Sequence, residues 1–131
     1  MRRPDTRGVK CVVRDADDRV VFVRHTYGDR RSWEIPGGNL RRSEDPEVAV
    51  RREMREELGI ELDGLRALGR VDVTGSHKWT ELHSFEGSVR GGGRLTSDRG
   101  ELAEVRWASP DRPPRPLGPD SAVVLDLLAR G

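Results

Sequence analysis

Glu53, Glu56 and Glu57 stand at positions i, i+3 and i+4, so a helix would carry all three carboxylates on one side. Like charges that close repel by about a few tenths of a kcal/mol per pair unless a cation sits among them. An all-oxygen donor set suits a hard divalent ion, and such an ion among carboxylates points to phosphate chemistry. The competing reading of the run RREMREE is a solvated helix face laced with Arg–Glu pairs. The flanking glycines, Gly37-Gly38 upstream and Gly59 downstream, favour the first reading. They mark where the chain turns and where a backbone carbonyl can come close.

The elements around the acids are legible. Asp45-Pro46 is a helix start, an acidic cap followed by proline in the first turn. The helix should run to about Leu58, with Gly59 as its C-cap. Val50, Met54 and Leu58 form its core stripe, with the acids on the adjacent face. Strands are expected over 9–13, 19–25, 33–35, 65–74, 79–89 and 105–108, with 36–38 stopping the third. The segments 27–32 and 90–100 read as loops, and 111–119 as irregular. Asp120 or Ser121 should cap a last helix that turns Val124, Leu125, Leu127 and Leu128 inward. Strands mixed with two helices make an α/β domain of two or three layers.

Composition sets outer limits. The chain has 131 residues, 34% hydrophobic and 36% charged, as expected of one domain over 1–131 with about 1–7 as a flexible tail. A net charge of +1 gives no global argument for nucleic-acid or membrane partners. No apolar run is long enough to span a membrane, and the start MRRPDTR lacks a signal-peptide core. Cys11 is the one cysteine; it reads as a small core residue, and a reducing cytoplasm fits. His77 and His83 have no cysteine spacing to make a zinc site.

Gly38, five residues, Glu44, seven residues, Arg52-Glu53-Met54, one residue, Glu56-Glu57, one residue and Gly59-Ile60: this pattern resembles the Nudix box at every fixed position. The lead-in Trp33-Glu34-Ile35-Pro36-Gly37-Gly38 and the late Trp107 strand are similar to the same family. The resemblance implies a Nudix fold, an α/β/α sandwich around a mixed sheet. It implies Mg2+- or Mn2+-dependent hydrolysis of the pyrophosphate bond in a nucleoside diphosphate linked to another moiety. By the same carry-over, Glu53, Glu56, Glu57 and the Gly38 carbonyl would be metal ligands. Arg52 would orient a box carboxylate, and Glu44 would anchor the loop. The general base would be a box glutamate or a later acid among Asp98, Glu101 and Glu104, with Glu101 favoured.

Outside the box, the resemblance puts Arg24 near a phosphate or base. Alternation along 79–89 puts Glu81 and His83 on one face with Trp79 and Phe85, either lining a substrate pocket or meeting water at an edge. Trp33, Trp79 and Trp107 read mostly as core. The expected partner is a small nucleotide-type substrate, with no membrane and no specific nucleic-acid binding, acting on a monomer or homodimer. Two further classes exist on this fold: a binding sensor that does not cleave, and an isoprenyl-diphosphate isomerase. Intact box glutamates argue against the sensor, and Cys11 is misplaced for the isomerase. The short chain argues for a small nucleotide-sanitising or broad-specificity enzyme.

Overall fold

Val9, Cys11, Val12 and Val13 form a nearly continuous apolar run because both faces of their strand are covered. In the computed structural model, which describes residues 2–26, 28, 31–75, 77–92, 95–96 and 102–131, that strand is the centre of a six-stranded sheet. The elements are β1 (Thr6–Arg14), β2 (Val20–His25), β3 (Gly37–Asn39), α1 (Pro46–Leu58), β4 (Leu62–Thr74), β5 (Trp79–Val89), β6 (Leu102–Ala108) and α2 (Pro119–Arg130). The strand order is β4-β5-β1-β2-β6, with β3 also paired to β1. β1 runs parallel to β5 and the other pairs are antiparallel, so the sheet is mixed.

Alternation along β1 sends Val9, Cys11 and Val13 to one face and Val12 to the other. The first three pack with Val50, Met54 and Leu58 of α1. Val12 packs with Phe22, Leu82 and Val124 of α2. One helix therefore covers each face, and the architecture is the expected α/β/α sandwich.

Several local expectations change. Residues 33–35 make only isolated bridges, Val23↔Glu34 and Trp33↔Leu117, while Gly37–Asn39 is itself a strand. Neither Gly37 nor Gly38 has a positive φ, so these glycines serve close approach and not a left-handed turn. β4 begins at Leu62 and β6 at Leu102, each earlier than the apolar pattern suggested. The tail is shorter than expected, because β1 takes in Thr6 and Arg7, and Asp5 is bonded to the Trp79 backbone through both its N–H and its carboxylate. The N-cap of α2 is Gly118, without a side-chain cap bond; Ser121 is used elsewhere.

α1 forms where its local signals place it. Asp45 is extended, with φ −70° and ψ 137°, and its Oδ2 accepts from the Glu47 and Val48 N–H groups at 3.0 and 3.4 Å. Gly59 closes the helix at φ 68°, a conformation that costs a side chain strain. Asp45→Ala should lower unfolding free energy by about 1 kcal/mol in urea titrations and leave kcat unchanged, since among the described residues the Asp45 carboxylate bonds only the Glu47 and Val48 N–H groups. A cost near zero would show that tertiary packing alone holds the helix start.

Candidate active site

The core stripe of α1 decides how its acids are presented. At ~100° per residue, Glu53 and Glu57 flank the Val50-Met54-Leu58 stripe, while Glu56 lies about 160° from its centre. Glu53 and Glu57 are accordingly buried, at 8% and 6% exposure, and Glu56 is only partly covered. The sequence reading gave the three acids one standing; the helical angle already separates them.

Glu53 lies directly against β3. A Cβ built on Gly38 would sit 2.6 Å from Glu53 Oε1 and closer still to its Cδ and Oε2. The missing side chain at Gly38 is thus the space that the carboxylate occupies. A Cβ on Gly37 would instead overlap the Val9 carbonyl oxygen across the β1–β3 ladder.

Arg52 joins the acids. It grips Glu44 with two bonds of 2.8 Å, and its Nη1 donates to Glu53 Oε1 at 2.8 Å and to Glu56 Oε2 at 3.0 Å. Its Nη2 also donates to the Asn39 carbonyl at 3.0 Å, tying α1 to the end of β3. Arg41 pairs with Glu56 at 3.4 Å. This planar, forked cation is suited to holding several carboxylates in one orientation.

Charge at the site is uneven. The Arg52 guanidinium, helped by the Arg41 N–H, pulls the Glu44 carboxyl down to about 2. Burial pushes Glu53 up, with Glu57 and Glu56 adding to the rise while Arg52 opposes it. The two shifts have opposite signs for stability. Glu44 contributes stability that is present above its ordinary value of 4.5 and is lost as pH falls toward about 2. Glu53 contributes stability that is present below its ordinary 4.5 and is lost as pH rises through its higher folded value. Glu44→Gln should therefore flatten the loss of stability between about pH 4.5 and about pH 2 in thermal melts. An unchanged slope would show that Arg52 does not discriminate between the two forms of Glu44.

Glu57 Oε1 is buried without a hydrogen-bond partner, and His25 Nε2 lies 3.4 Å away, in ion-pair range but outside hydrogen-bond geometry. A buried carboxylate oxygen left so is costly unless something cationic completes it. Among the described residues no three His, Cys, Asp or Glu side chains already converge on one point. Arg52 Nη1 bonds both Glu53 and Glu56. The donors that fit a hard cation are oxygens of Glu53, which lies against the Gly38 backbone, and of the buried Glu57 one turn along α1, with the partly covered Glu56 beside it.

His25 was not among the residues picked from the sequence. Period-two alternation in β2 would have found it, since it follows Val21 and Val23 on the α1 face. Arg24 is on the other face. Its guanidinium lies over the Trp33 ring at 5.1 Å and pairs with Glu104 of β6. Glu81 and His83 do share the Phe85 face. They bond to each other at 2.8 Å, and Glu81 also pairs with Arg7 and Arg70. The His83 and Arg7 partners hold the Glu81 carboxyl below its usual range. His83 stands opposite Val9, and Val9 opposite Gly38, so the pair lies two strands from the box. Asp98 and Glu101 lie outside the described residues. Two hollows line the β1–β2 turn at the far end of β1, and one of about 420 Å3, whose lining includes Asp5, Arg7, Asn39, Arg41 and Arg42, opens beside the box.

Comparison with known proteins agrees with this geometry. The NUDIX domain model matches residues 4–128. The chain is 32% identical over 110 residues to a Bacillus subtilis (strain 168) protein named "Putative 8-oxo-dGTP diphosphatase", covering 83% of this chain and 70% of that one. It is 31% identical over 107 residues to the Mycobacterium tuberculosis (strain ATCC 25618 / H37Rv) NAD-capped RNA hydrolase NudC, covering 79% of this chain but only 32% of that protein. The crystal structure of a MutT NUDIX hydrolase from Burkholderia pseudomallei superposes with TM-score 0.77 at 23% identity, over 94% of this chain and 97% of the other, a likeness of fold. The chain belongs to the NUDIX family, and in kind it is a Nudix-type pyrophosphohydrolase.

Proposed function

We propose that this protein hydrolyses the pyrophosphate bond of a nucleoside diphosphate linked to another moiety, with Mg2+ or Mn2+ as cofactor. One observation carries the metal: the buried Glu53 carboxylate against the Gly38 backbone and the buried Glu57 carboxylate one helical turn on, with Glu57 Oε1 lacking a hydrogen-bond partner. Glu53, Glu56, Glu57 and the Gly38 carbonyl are the proposed ligands. Held there, a cation would offset charge on the phosphoryl oxygens and make the attacking water easier to deprotonate.

The chain's own residues supply position. Arg52 holds Glu53 and Glu56 in place, and Glu44 holds Arg52. Gly59 ends α1 so that Glu57 stays on its last turn. Arg24, Glu81 and His83 are proposed substrate contacts, and the hollow lined by Arg7, Arg41 and Arg42 supports a polyanionic substrate beside the box. Glu101 is the proposed general base; the Arg24 pairing of Glu104 argues for it over Glu104. No helix of the described residues is long and apolar enough to cross a membrane, and the buried Cys11 thiol suits a reducing cytoplasm.

The match spans 70% of the Bacillus relative but only 32% of the Mycobacterium one, which favours a free nucleoside triphosphate over a capped RNA. The test is product release from dGTP, 8-oxo-dGTP, ADP-ribose, NAD+ and dinucleoside polyphosphates, with Mg2+, with Mn2+ and with chelator. Metal-dependent release of a nucleoside monophosphate is the expected result. Folded protein that binds one of these tightly and forms no product would make it a sensor and overturn the proposal.

A further inference from the structure

On the α2 side of the sheet, beneath the lead-in to the glycine pair, three polar side chains meet among apolar ones. Ser121 of α2 is fully buried. Its Oγ accepts from the Ile35 N–H at 2.8 Å and donates to Glu34 Oε2 at 2.7 Å. Lys10 of β1 donates through Nζ to the Ile35 carbonyl at 2.8 Å and pairs with Glu34 Oε2 at 3.4 Å. The two backbone polar groups of Ile35 are thus both satisfied by side chains that Glu34 joins together. Gly118 shapes the same spot, since a Cβ there would overlap Glu34 Oε1.

A half-buried ion pair is a poor device for stability alone, because hydrophobic residues of the same volume often serve as well or better. Its distinctive product is one geometry. Here that geometry belongs to residues 33–36, the strap that enters Gly37-Gly38. The rest of the strap is pinned too: Glu34 exchanges two 2.8 Å bonds with Val23, Pro36 accepts from Cys11 N–H at 3.0 Å, and Trp33 bonds to Pro116 and Gly118. Two residues further on, Gly38 meets the Glu53 carboxylate from α1.

We propose that Lys10, Glu34 and Ser121 form a positioning unit that sets the Gly38 backbone against Glu53 from the opposite side of the sheet. Through this unit α2, which carries no box residue, governs cation affinity at the platform. The inference rests on the metal-dependent reading above. Residues that orient a metal site from outside it typically change affinity by about 10- to 100-fold when removed.

The test is Mn2+ binding to purified protein, followed by electron paramagnetic resonance of the free ion, together with Tm and with kcat and KM at saturating metal. Lys10→Met and Ser121→Ala should each weaken Mn2+ binding by about tenfold and lower kcat with little change in KM. Gly118→Ala adds no backbone strain at φ −63° but expels the Glu34 carboxylate, and it should weaken binding in the same direction. Val124→Ala removes buried apolar packing from α2 while leaving the unit's polar groups and their hydrogen bonds in place, and should lower Tm while binding Mn2+ as wild type does. Should Ser121→Ala not fold, Lys10→Met and Gly118→Ala give the same reading. Wild-type Mn2+ affinity in Lys10→Met and Gly118→Ala, or equal weakening in Val124→Ala, overturns the positioning unit while leaving the metal reading intact. A wild-type protein that binds no Mn2+ overturns the metal reading itself and the unit with it.

Discussion

Glu57→Gln is expected to lower kcat by about 10^2- to 10^3-fold while leaving the fold as stable as before or slightly more so. The loss follows from the proposed role of Glu57 as a metal ligand; removing one such electrostatic group costs about 3–4 kcal/mol of barrier. The stability side follows from the same geometry. Glu57 Oε1 is buried without a hydrogen-bond partner, with His25 Nε2 in ion-pair range at 3.4 Å, so its desolvation is incompletely offset. A neutral amide of the same shape removes that cost, and its N–H can serve as a donor. Opposite signs for activity and stability mark a residue kept for function. Activity is read as single-turnover product release with Mg2+, and stability from urea titration. A variant with wild-type kcat would take Glu57 out of the site, and one that unfolds easily would make its role structural.

The second large effect separates two neighbouring glycines. Gly38→Ala should reduce kcat by about 10^2-fold with little loss of stability. Its Cβ would displace only the end of the Glu53 side chain, which can swing away, but a swung carboxylate no longer meets the Gly38 backbone. A misplacement of about 1 Å is enough for a loss of that order. Gly37→Ala should instead destabilise by about 3 kcal/mol, because its Cβ meets the Val9 carbonyl and a strand backbone cannot move aside cheaply. Urea midpoints and kcat for the pair give the answer. Equal effects from the two substitutions would contradict the assignment of one glycine to the carboxylate and the other to the ladder.

Much of this was readable before any fold. α1 was legible from end to end, since its cap, proline, apolar stripe and terminal glycine act within a few residues of one another. The box was legible for the same reason. Errors fell where contacts are remote. Residues 33–35 carry a strand pattern, yet their partners are single bridges to Val23 and Leu117 and side chains from β1 and α2. Ser121 looked like a helix cap because serine caps helices; its hydroxyl is drawn off by a peptide N–H 86 positions earlier. Arg24 and His25 were one residue apart in the choice, and strand parity sent the second toward Glu57 and the first to Trp33 and Glu104.

By itself, then, the sequence determined the family, the helix that presents three acids, and the class of chemistry, because each is written in interactions within one or two turns of chain. The tertiary structure decided the rest. It brought Arg41 onto Glu56, and it laid Glu53 on Gly38. It also brought Lys10, Glu34 and Ser121 together behind the strap. Those facts depend on sheet register and on helices packed against opposite faces, and no local spacing encodes the register between segments so far apart.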